Sequence, residues 1–381
     1  MKNIGILGST GSVGTQTLEV IQNNKEKFNI VFLSAHSNKD LLLKQAREFK
    51  PKYICVSNKE IKIESIDKID GVKVLYGKNG ITELCKNDNC DIILNAIVGY
   101  SGLEPTLQII NSGIDLALSN KESIVQAGHL VMNLASEKKV NIFPVDSEHS
   151  ALWQCLIGED KRNIKKLILT ASGGPFRKTP KSDFVKITKE EALNHPNWKM
   201  GDKITIDSAT MMNKGFELIE AFWLFNIGIE KLQIVIHPQS IVHSMVEFCD
   251  GAIKAQLSKP DMRLPIQFAL SYPERYNLPG LDFSISDFSK LTFEPIDIDK
   301  FKCVKLAFKA IDEGGSYPTV LNVANDLLVD LFLKDYIEFN MIADYIEEAM
   351  NSHQIVKNPN LKQIKSITNS TKLFIKEKIE I

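Results

Sequence analysis

The sequence predicts an α/β protein in three parts: an N-terminal parallel sheet covered by helices, a central α/β unit of α+β character, and a C-terminal helical bundle. Three observations predict it. Short, continuously apolar runs alternate with helical stretches through the first 150 residues, the pattern of parallel strands buried on both faces. The alternation breaks down after residue 150, and the last hundred residues carry helical periodicity instead. At 381 residues the chain also exceeds one ordinary core, and at ~150 residues per domain it divides into about two to three domains.

Taken in order, Ile4–Leu7 reads as the first strand and Thr15–Asn23 as the first helix. Ile30–Ser34, Tyr53–Val56, Asp91–Val98, Leu116–Leu118 and Val140–Val145 continue the strands, with helices at Asp40–Phe49, Ile124–Ser136 and Ala151–Leu156. Beyond them, Lys165–Thr170, Ile204–Asp207, Leu232–Ile236, Ile241–Phe248 and Ala252–Leu257 read as strands around a long helix from Met211 to Leu224. Asp250 and Gly251 mark a hairpin between the last two. The stretch Tyr272–Lys300, rich in Pro, Asp and Ser, reads as a linker. Helices follow at Cys303–Asp312, Thr319–Leu333 and Met341–Met350, and Thr371–Ile379 adds a further turn or two. The domains are therefore expected at residues 1–149, 150–275 and 301–381, with the linker at 276–300.

Composition narrows the function. Hydrophobic residues make up 44% and charged residues 24%, which excludes disorder, collagen and coiled coil. Lys+Arg 46 against Asp+Glu 47 gives no electrostatic reason to expect nucleic acid or an anionic membrane as partner. The six cysteines are scattered without a C-x-x-C pair, so they read as reduced, packed thiols rather than a zinc site or disulfide framework. Met1-Lys2-Asn3 runs straight into a strand without the look of a signal or transit peptide, and no apolar run approaches the ~20 residues of a membrane span. A cytoplasmic protein is expected.

Gly8-Ser9-Thr10-Gly11-Ser12-Val13-Gly14 lies between the first strand and the first helix. Glycines there let the chain turn tightly and let backbone N–H groups approach a pyrophosphate at the helix N-terminus. In this context the loop predicts a Rossmann-like nucleotide-binding domain over residues 1–149, against the alternative of an ordinary glycine turn. An NAD site usually carries Asp or Glu at the tip of the second strand, to accept from the ribose 2′-hydroxyl. Here His36-Ser37-Asn38 offers hydrogen-bond donors with no carboxylate until Asp40, which favours NADPH; a plain polar turn is the alternative.

Asp146, Ser147 and Glu148 leave a strand and enter a helix. Two carboxylates at such a crevice suit Mg²⁺ or Mn²⁺, which take oxygen ligands. They equally suit a helix start, with Asp146 or Ser147 as N-cap and Glu148 in the first turn. Asn213 and Glu217 share one face of the next long helix, where Lys214 either pairs with the carboxylate or binds a ligand. Ser172 in a second glycine turn, with Ser208, Asn213 and Lys214, would form a phosphate cup. Lys121 at a strand end is placed to polarise a carbonyl, or is a solvated lysine paired with Glu122. The polar stretch around 175–201, carrying His195 and Trp198, suggests a lid that would touch and cover a substrate. His129, His237, His243 and His353 read as fold residues.

The motifs GSTGSVG, SNKES, PVDSEH, ASGGPFR, HPNWKMG, DSATMMNKGFE, HPQSIVHSMVE and KPDMRLPIQFAL, in this order, closely resemble the 1-deoxy-D-xylulose 5-phosphate reductoisomerase family, with an echo at Leu321–Asn325. The resemblance implies isomerisation of the pentulose phosphate by retro-aldol/aldol exchange and NADPH-dependent reduction to 2-C-methyl-D-erythritol 4-phosphate, a step of isoprenoid precursor synthesis. It implies Asp146, Glu148 and Glu217 as ligands of Mg²⁺ or Mn²⁺, with Co²⁺ a further candidate. Lys121, Glu148 and His195 are implied as catalytic residues. Ser147, Ser172, Ser208, Asn213 and Lys214 join Lys121, Glu148, His195 and Glu217 as substrate contacts. Thr10, Gly11, Ser12, Val13, Ser37, Asn38, Asn120, Glu122 and Gly201 correspond to NADPH contacts. It further implies a homodimer formed through the central domain. A metal-free NADP-dependent semialdehyde or homoserine-type dehydrogenase and a nucleotide-sensing regulator are the rival expectations; neither uses three carboxylates together with a phosphate cup.

Overall fold

The structure, a computed structural model, describes residues 1–64, 69–194 and 201–380. In chain order its first elements are β1 (Lys2–Leu7), α1 (Ser12–Gln22), β2 (Phe28–Ala35), α2 (Lys39–Phe49), β3 (Tyr53–Val56), β4 (Lys73–Tyr76) and α3 (Gly77–Cys85). β5 (Ile92–Asn95), α4 (Leu103–Asn111), β6 (Asp115–Leu118), α5 (Lys121–Lys138), β7 (Ile142–Pro144) and α6 (Ser147–Leu156) follow. The seven strands form one parallel sheet in the order β4-β3-β2-β1-β5-β6-β7. Strand order reverses direction between β1 and β5, and open α/β sheets bind ligands in the crevice at such a point.

The second set begins with β8 (Ile164–Ala171), α7 (Lys189–Leu193), α8 (Asp202–Ala209), α9 (Met212–Phe225), β9 (Leu232–Ile236), β10 (Val242–Phe248) and β11 (Ile253–Leu257). It continues with α10 (Arg263–Ser271), β12 (Glu294–Pro295), α11 (Lys302–Glu313), α12 (Tyr317–Leu333), α13 (Met341–Ser352) and α14 (Leu361–Ile379). A five-stranded mixed sheet runs β11-β10-β8-β9-β12, with only β8 and β9 parallel. Asp250 and Gly251 turn the β10–β11 hairpin as expected, Gly251 at φ +89° and Asp250 Oδ1 accepting from the Ala252 N–H. Among the described residues no helix is long and apolar enough to cross a membrane.

The chain folds as two units. One comprises residues 1–123, 131–150 and 261–282, the other 124–130, 151–260 and 283–381. In the first unit the sheet core of Ile4, Ile6, Leu33, Ile92 and Leu94 is joined by Ile266, Ala269 and Leu270 of α10, which packs on α1. In the second unit the mixed sheet and the C-terminal helices share one core, from Leu167 and Ile234 to Phe216, Val304, Leu328 and Ile346.

Several elements depart from the expected ones. Ile204–Asp207 is not a strand but the middle of α8. Its β-branched residues favour a strand by propensity, but Thr205, Ile206 and Ala209 are buried at helical spacing and Lys203 pairs with Asp207 one turn on. The last helix starts at Leu361, not Thr371, and Asn360 and Gln363 close a capping box there. The strand expected at Asp91–Val98 is only Ile92–Asn95, and β4, α3 and α4 were not expected at all. The linker is partly ordered: β12 pairs with β9, and Pro295 is accommodated because β12 is an edge strand. The expected hydrophobic cysteines hold for Cys55, Cys85, Cys90, Cys155 and Cys303, which are buried; Cys249 is exposed.

Candidate active site

The glycine loop follows β1 at the switch point of the first unit. Gly8 has φ +83°, and a Cβ there would lie 2.8 Å from the Ala96 carbonyl oxygen at the end of β5. A Cβ at Gly14 would lie 2.5 Å from Ser9 Cα. Both glycines are therefore required by the protein's own packing. Gly11 is different: a Cβ would meet only the Gly8 carbonyl oxygen, at an ordinary 3.5 Å. Gly11 is exposed and is the N-cap of α1, and no side chain caps that helix. What a side chain at Gly11 would obstruct is approach to the helix N-terminus, which fits a cofactor phosphate.

At the tip of β2, His36, Ser37 and Asn38 are all exposed, with His36 Nδ1 2.9 Å from Ser57 Oγ. Asn38 is also the N-cap of α2, its Oδ1 accepting from the Leu41 N–H. At the end of β6, Asn120 is buried and already committed. Its Nδ2 donates to the carbonyls of Ile97 (2.7 Å) and Gly99 (2.9 Å) and to Glu122 Oε2 (3.1 Å), while its Oδ1 caps α5 through the Ser123 N–H. Asn95 continues this scaffold, donating to the Gly102 carbonyl and to Thr106. Sequence reasoning missed Asn95; the one available signal was an amide closing an otherwise apolar strand.

Lys121 begins α5. It is 7% exposed, and its Nζ lies 2.5 Å from Asp146 Oδ2. The solvated-lysine alternative is thereby replaced: the ammonium is buried and held by a carboxylate 25 residues further along the chain. Asp146 Oδ1 accepts from the Ser147 N–H, and Ser147 Oγ donates to Glu148 Oε2 at 2.6 Å. The Ser150 N–H bonds the Asp146 carbonyl, so Asp146 also starts α6. The helix-start alternative for this segment is therefore met at Asp146. His149, fully buried, places Nδ1 3.9 Å from Asp146 Oδ2.

In the second unit, β8 ends in Ser172, Gly173 and Gly174, the glycines at φ +88° and +64°. A Cβ at Gly174 would lie 2.6 Å from the Ser208 carbonyl oxygen, so the glycine lets the turn close on the end of α8. Between α8 and α9, Met211 takes the left-handed conformation (φ +61°) while 2% exposed, a strain that persists only where the surroundings over-determine it. α9 then presents Asn213, Lys214 and Glu217. Glu217 is fully buried; it accepts from Asn213 Nδ2 at 2.5 Å and from Lys214 Nζ at 2.6 Å. Lys214 and Glu217 therefore pair, and Asn213 shares their carboxylate.

Gly201 is the N-cap of α8 and has no atom within 4 Å of where a Cβ would stand. Of the expected lid, Phe176 and Phe184 are core residues, their rings 5.3 and 5.7 Å from that of Phe339. Thr188 and Glu191 form a capping box on α7. The first part of the segment is therefore anchored. His195 and Trp198 lie outside the described residues. The four histidines assigned to the fold behave so: His129 bonds the Pro359 carbonyl, His237 the Thr292 carbonyl, His243 Ser258, and His353 Ser316.

A loop shaped for a dinucleotide pyrophosphate, on a parallel sheet whose strand ends carry a buried ammonium and carboxylates, is the arrangement of a nucleotide-dependent α/β oxidoreductase. Comparison with known proteins narrows the class. Family models for 1-deoxy-D-xylulose 5-phosphate reductoisomerase match residues 4–128, and models of its C-terminal domain match 142–225 and 257–374. The chain belongs to the 1-deoxy-D-xylulose 5-phosphate reductoisomerase family. It is 51% identical to the enzyme of Thermoanaerobacter pseudethanolicus over 99% of both chains, and 47% identical to that of Chloroherpeton thalassium over 100% of this chain and 99% of the other. Its fold superposes on the Zymomonas mobilis enzyme in complex with NADPH with TM-score 0.94, at 36% identity, over 100% of this chain and 99% of that one. A reductoisomerase in complex with NADPH, fosmidomycin and magnesium matches with TM-score 0.93, at 38% identity, over 100% and 98%. Family membership sets aside the metal-free dehydrogenase and the regulator.

Proposed function

We propose that the chain catalyses the NADPH- and divalent-metal-dependent isomerisation and reduction of 1-deoxy-D-xylulose 5-phosphate to 2-C-methyl-D-erythritol 4-phosphate, a step in isoprenoid precursor synthesis. The whole-length family match carries this conclusion. When bound, the cation supplies Lewis-acid stabilisation of oxyanion charge and NADPH supplies the hydride.

The chain's own residues are assigned the remaining tasks. Backbone N–H groups of Gly11, Ser12 and Val13, with Thr10, orient the cofactor pyrophosphate; Ser37 and Asn38 meet the 2′-phosphate, and Asn120, Glu122 and Gly201 complete the cofactor contacts. Asp146, Glu148 and Glu217 offer the hard oxygen donors a divalent cation requires. Lys121 presents a fixed positive charge to oxygen atoms that gain charge in the reaction. Its pairing with Asp146 means that it needs no reorganisation to do so. Ser172, Ser208, Asn213 and Lys214 bind the substrate phosphate, and Ser147 and His195 contact the substrate. The same proposal includes a homodimer formed through the central segment and a cytosolic location, both implied by the family resemblance. β11 supports the first: it is a sheet edge with Ile253 57% exposed, a surface that natural sheets cover or pair.

The test is oxidation of NADPH in the presence of the pentulose phosphate. Turnover should need Mg²⁺, Mn²⁺ or Co²⁺, stop in excess chelator and return when metal is restored. Turnover that persists in chelator would remove the metal-dependent reaction.

A further inference from the structure

Asp207 stands inside α8, one residue before Ser208, and is 2% exposed. A carboxylate this deep needs partners, and it has one on its own helix and one on α12 of the same unit. Its Oδ1 accepts from Asn325 Nδ2 at 2.7 Å, and its Oδ2 pairs with Lys203 Nζ at 2.7 Å. The same ammonium pairs with Asp326 Oδ1 at 2.9 Å and lies 5.0 Å from the centre of the Phe216 ring on α9. Asp326 Oδ2 accepts from Asn322 Nδ2 at 3.2 Å. One polar network thus joins α8, α9 and α12.

The network sits in an apolar setting. On α12, Asn322 and Asn325 are fully buried between Leu321, Val323, Ala324 and Leu328. Well-packed hydrophobic side chains often serve stability as well as a buried ion pair does, whereas charged and amide groups fix one geometry. What is fixed here is the end of α8. The Asp207 backbone carbonyl accepts from Thr210 Oγ1, the Ser208 carbonyl accepts from the Met211 N–H, and left-handed Met211 starts α9. A rotation of α8 would move Ser208 and pass through this tight junction to Asn213 and Lys214.

We infer that Asp207, held by Asn325 and Lys203, is a positioning residue that sets Ser208 and the first turn of α9 for the substrate's phosphate. This rests on the proposed role of Ser208 in binding that phosphate. Asp207→Asn and Asn325→Ser should each raise KM for the pentulose phosphate by roughly tenfold or more, as small misplacements of binding groups do. The dissociation constant for NADPH, most of whose assigned contacts lie at the glycine loop and the β2 tip, should change far less than this KM. In a Ser208→Ala background the same substitutions should have a smaller effect, the remainder acting through Asn213 and Lys214. The exchange Asp207→Asn with Asn325→Asp restores one carboxylate–amide pair across the helices and should recover most of the KM. Should Asp207→Asn fail to fold, Asn325→Ser, which leaves the Asp207–Lys203 pair intact, carries the prediction. An unchanged KM in Asn325→Ser while Ser208→Ala raises it would overturn the inference, as would effects that simply add in the double variants or a parallel loss of NADPH affinity. An unchanged KM in Ser208→Ala would instead remove the phosphate assignment of Ser208 and the inference resting on it; raised KM in the Asp207 and Asn325 variants beside it would mark that failure as one of assignment.

Discussion

Replacing Glu217 by glutamine separates its pairing with Lys214 from its proposed role as a metal ligand. The carboxylate is fully buried and takes hydrogen bonds from Lys214 at 2.6 Å and Asn213 at 2.5 Å. Glutamine keeps one acceptor oxygen but removes the charge, leaving Lys214, itself 8% exposed, without its compensating carboxylate. Breaking a buried ion pair outright costs ~3–5 kcal/mol, and a hydrogen bond to a charged group contributes ~1.5–3 kcal/mol. The acceptor oxygen that glutamine retains places the loss below that of an outright break, at about 2 kcal/mol, within the ~5–15 kcal/mol of a typical fold. At ~2–4 °C per kcal/mol the melting temperature should fall by roughly 4–8 °C, leaving the variant folded at 25 °C. Metal ligation predicts more: turnover should drop by about a thousandfold, equivalent to ~4 kcal/mol in the barrier. Saturating Mg²⁺ should raise the melting temperature of the wild type but not of the variant. Calorimetry with and without Mg²⁺, alongside NADPH oxidation, measures both. A variant that melts lower yet turns over near the wild-type rate would show that Glu217 serves only Lys214.

Cofactor preference should be NADPH over NADH, because the β2 tip offers His36, Ser37 and Asn38 and no carboxylate; a kcat/KM ratio near one would reject the 2′-phosphate assignment. Lys121→Met should abolish most turnover while NADPH still binds, and retained turnover would remove the ammonium from the mechanism. Phe184→Ala, which empties a packed aromatic cluster, should cost about 3 kcal/mol in denaturant unfolding; a loss under ~1 kcal/mol would mean that this part of the 175–201 segment is not anchored. Burial pushes the imidazoles of His237 and His353 below their ordinary range, the Thr292 carbonyl opposing this at His237. The unfolded chain then binds more protons than the folded one below about pH 6.5, so stability should rise with pH through that region and level off above it. His353→Gln should flatten the dependence, and an unchanged slope would exclude His353 as a source.

The first unit was legible in the sequence because its signals are local. Three apolar residues in Ile4–Leu7 and the glycines after them specify a strand, a turn and a helix start within a dozen positions. The short edge strand β4, four residues with Lys73 exposed and only Leu75 buried, carries a weaker signal and was missed. α8 was misread because Ile204, Thr205 and Ile206 carry strand propensity, and the contacts that outweigh it come from α12, more than a hundred residues away. The same limit applies within the site. Residue types and spacing identified Lys121, Asp146, Lys214 and Glu217, but not that Lys121 would pair with Asp146 rather than lie in solvent, since nothing in a linear pattern ranks a neighbour against a distant partner. Glu217 illustrates the opposite case: a partner three residues away on one helix was open to expectation, and the pair is there.

The placement of α10 bears on how the protein is made. The two units are drawn from six alternating stretches of chain, and the first is complete only when residues 261–282 have joined it. Ile266, Ala269 and Leu270, each fully buried, come from that last stretch. A nascent chain emerging from the ribosome therefore exposes the glycine-loop unit with part of its apolar core uncovered until more than two-thirds of the protein has been translated. A fragment ending at Ser150 would stay in that state permanently, so proteolytic or genetic isolation of the glycine-loop sheet should give an aggregating species unless α10 is added in trans.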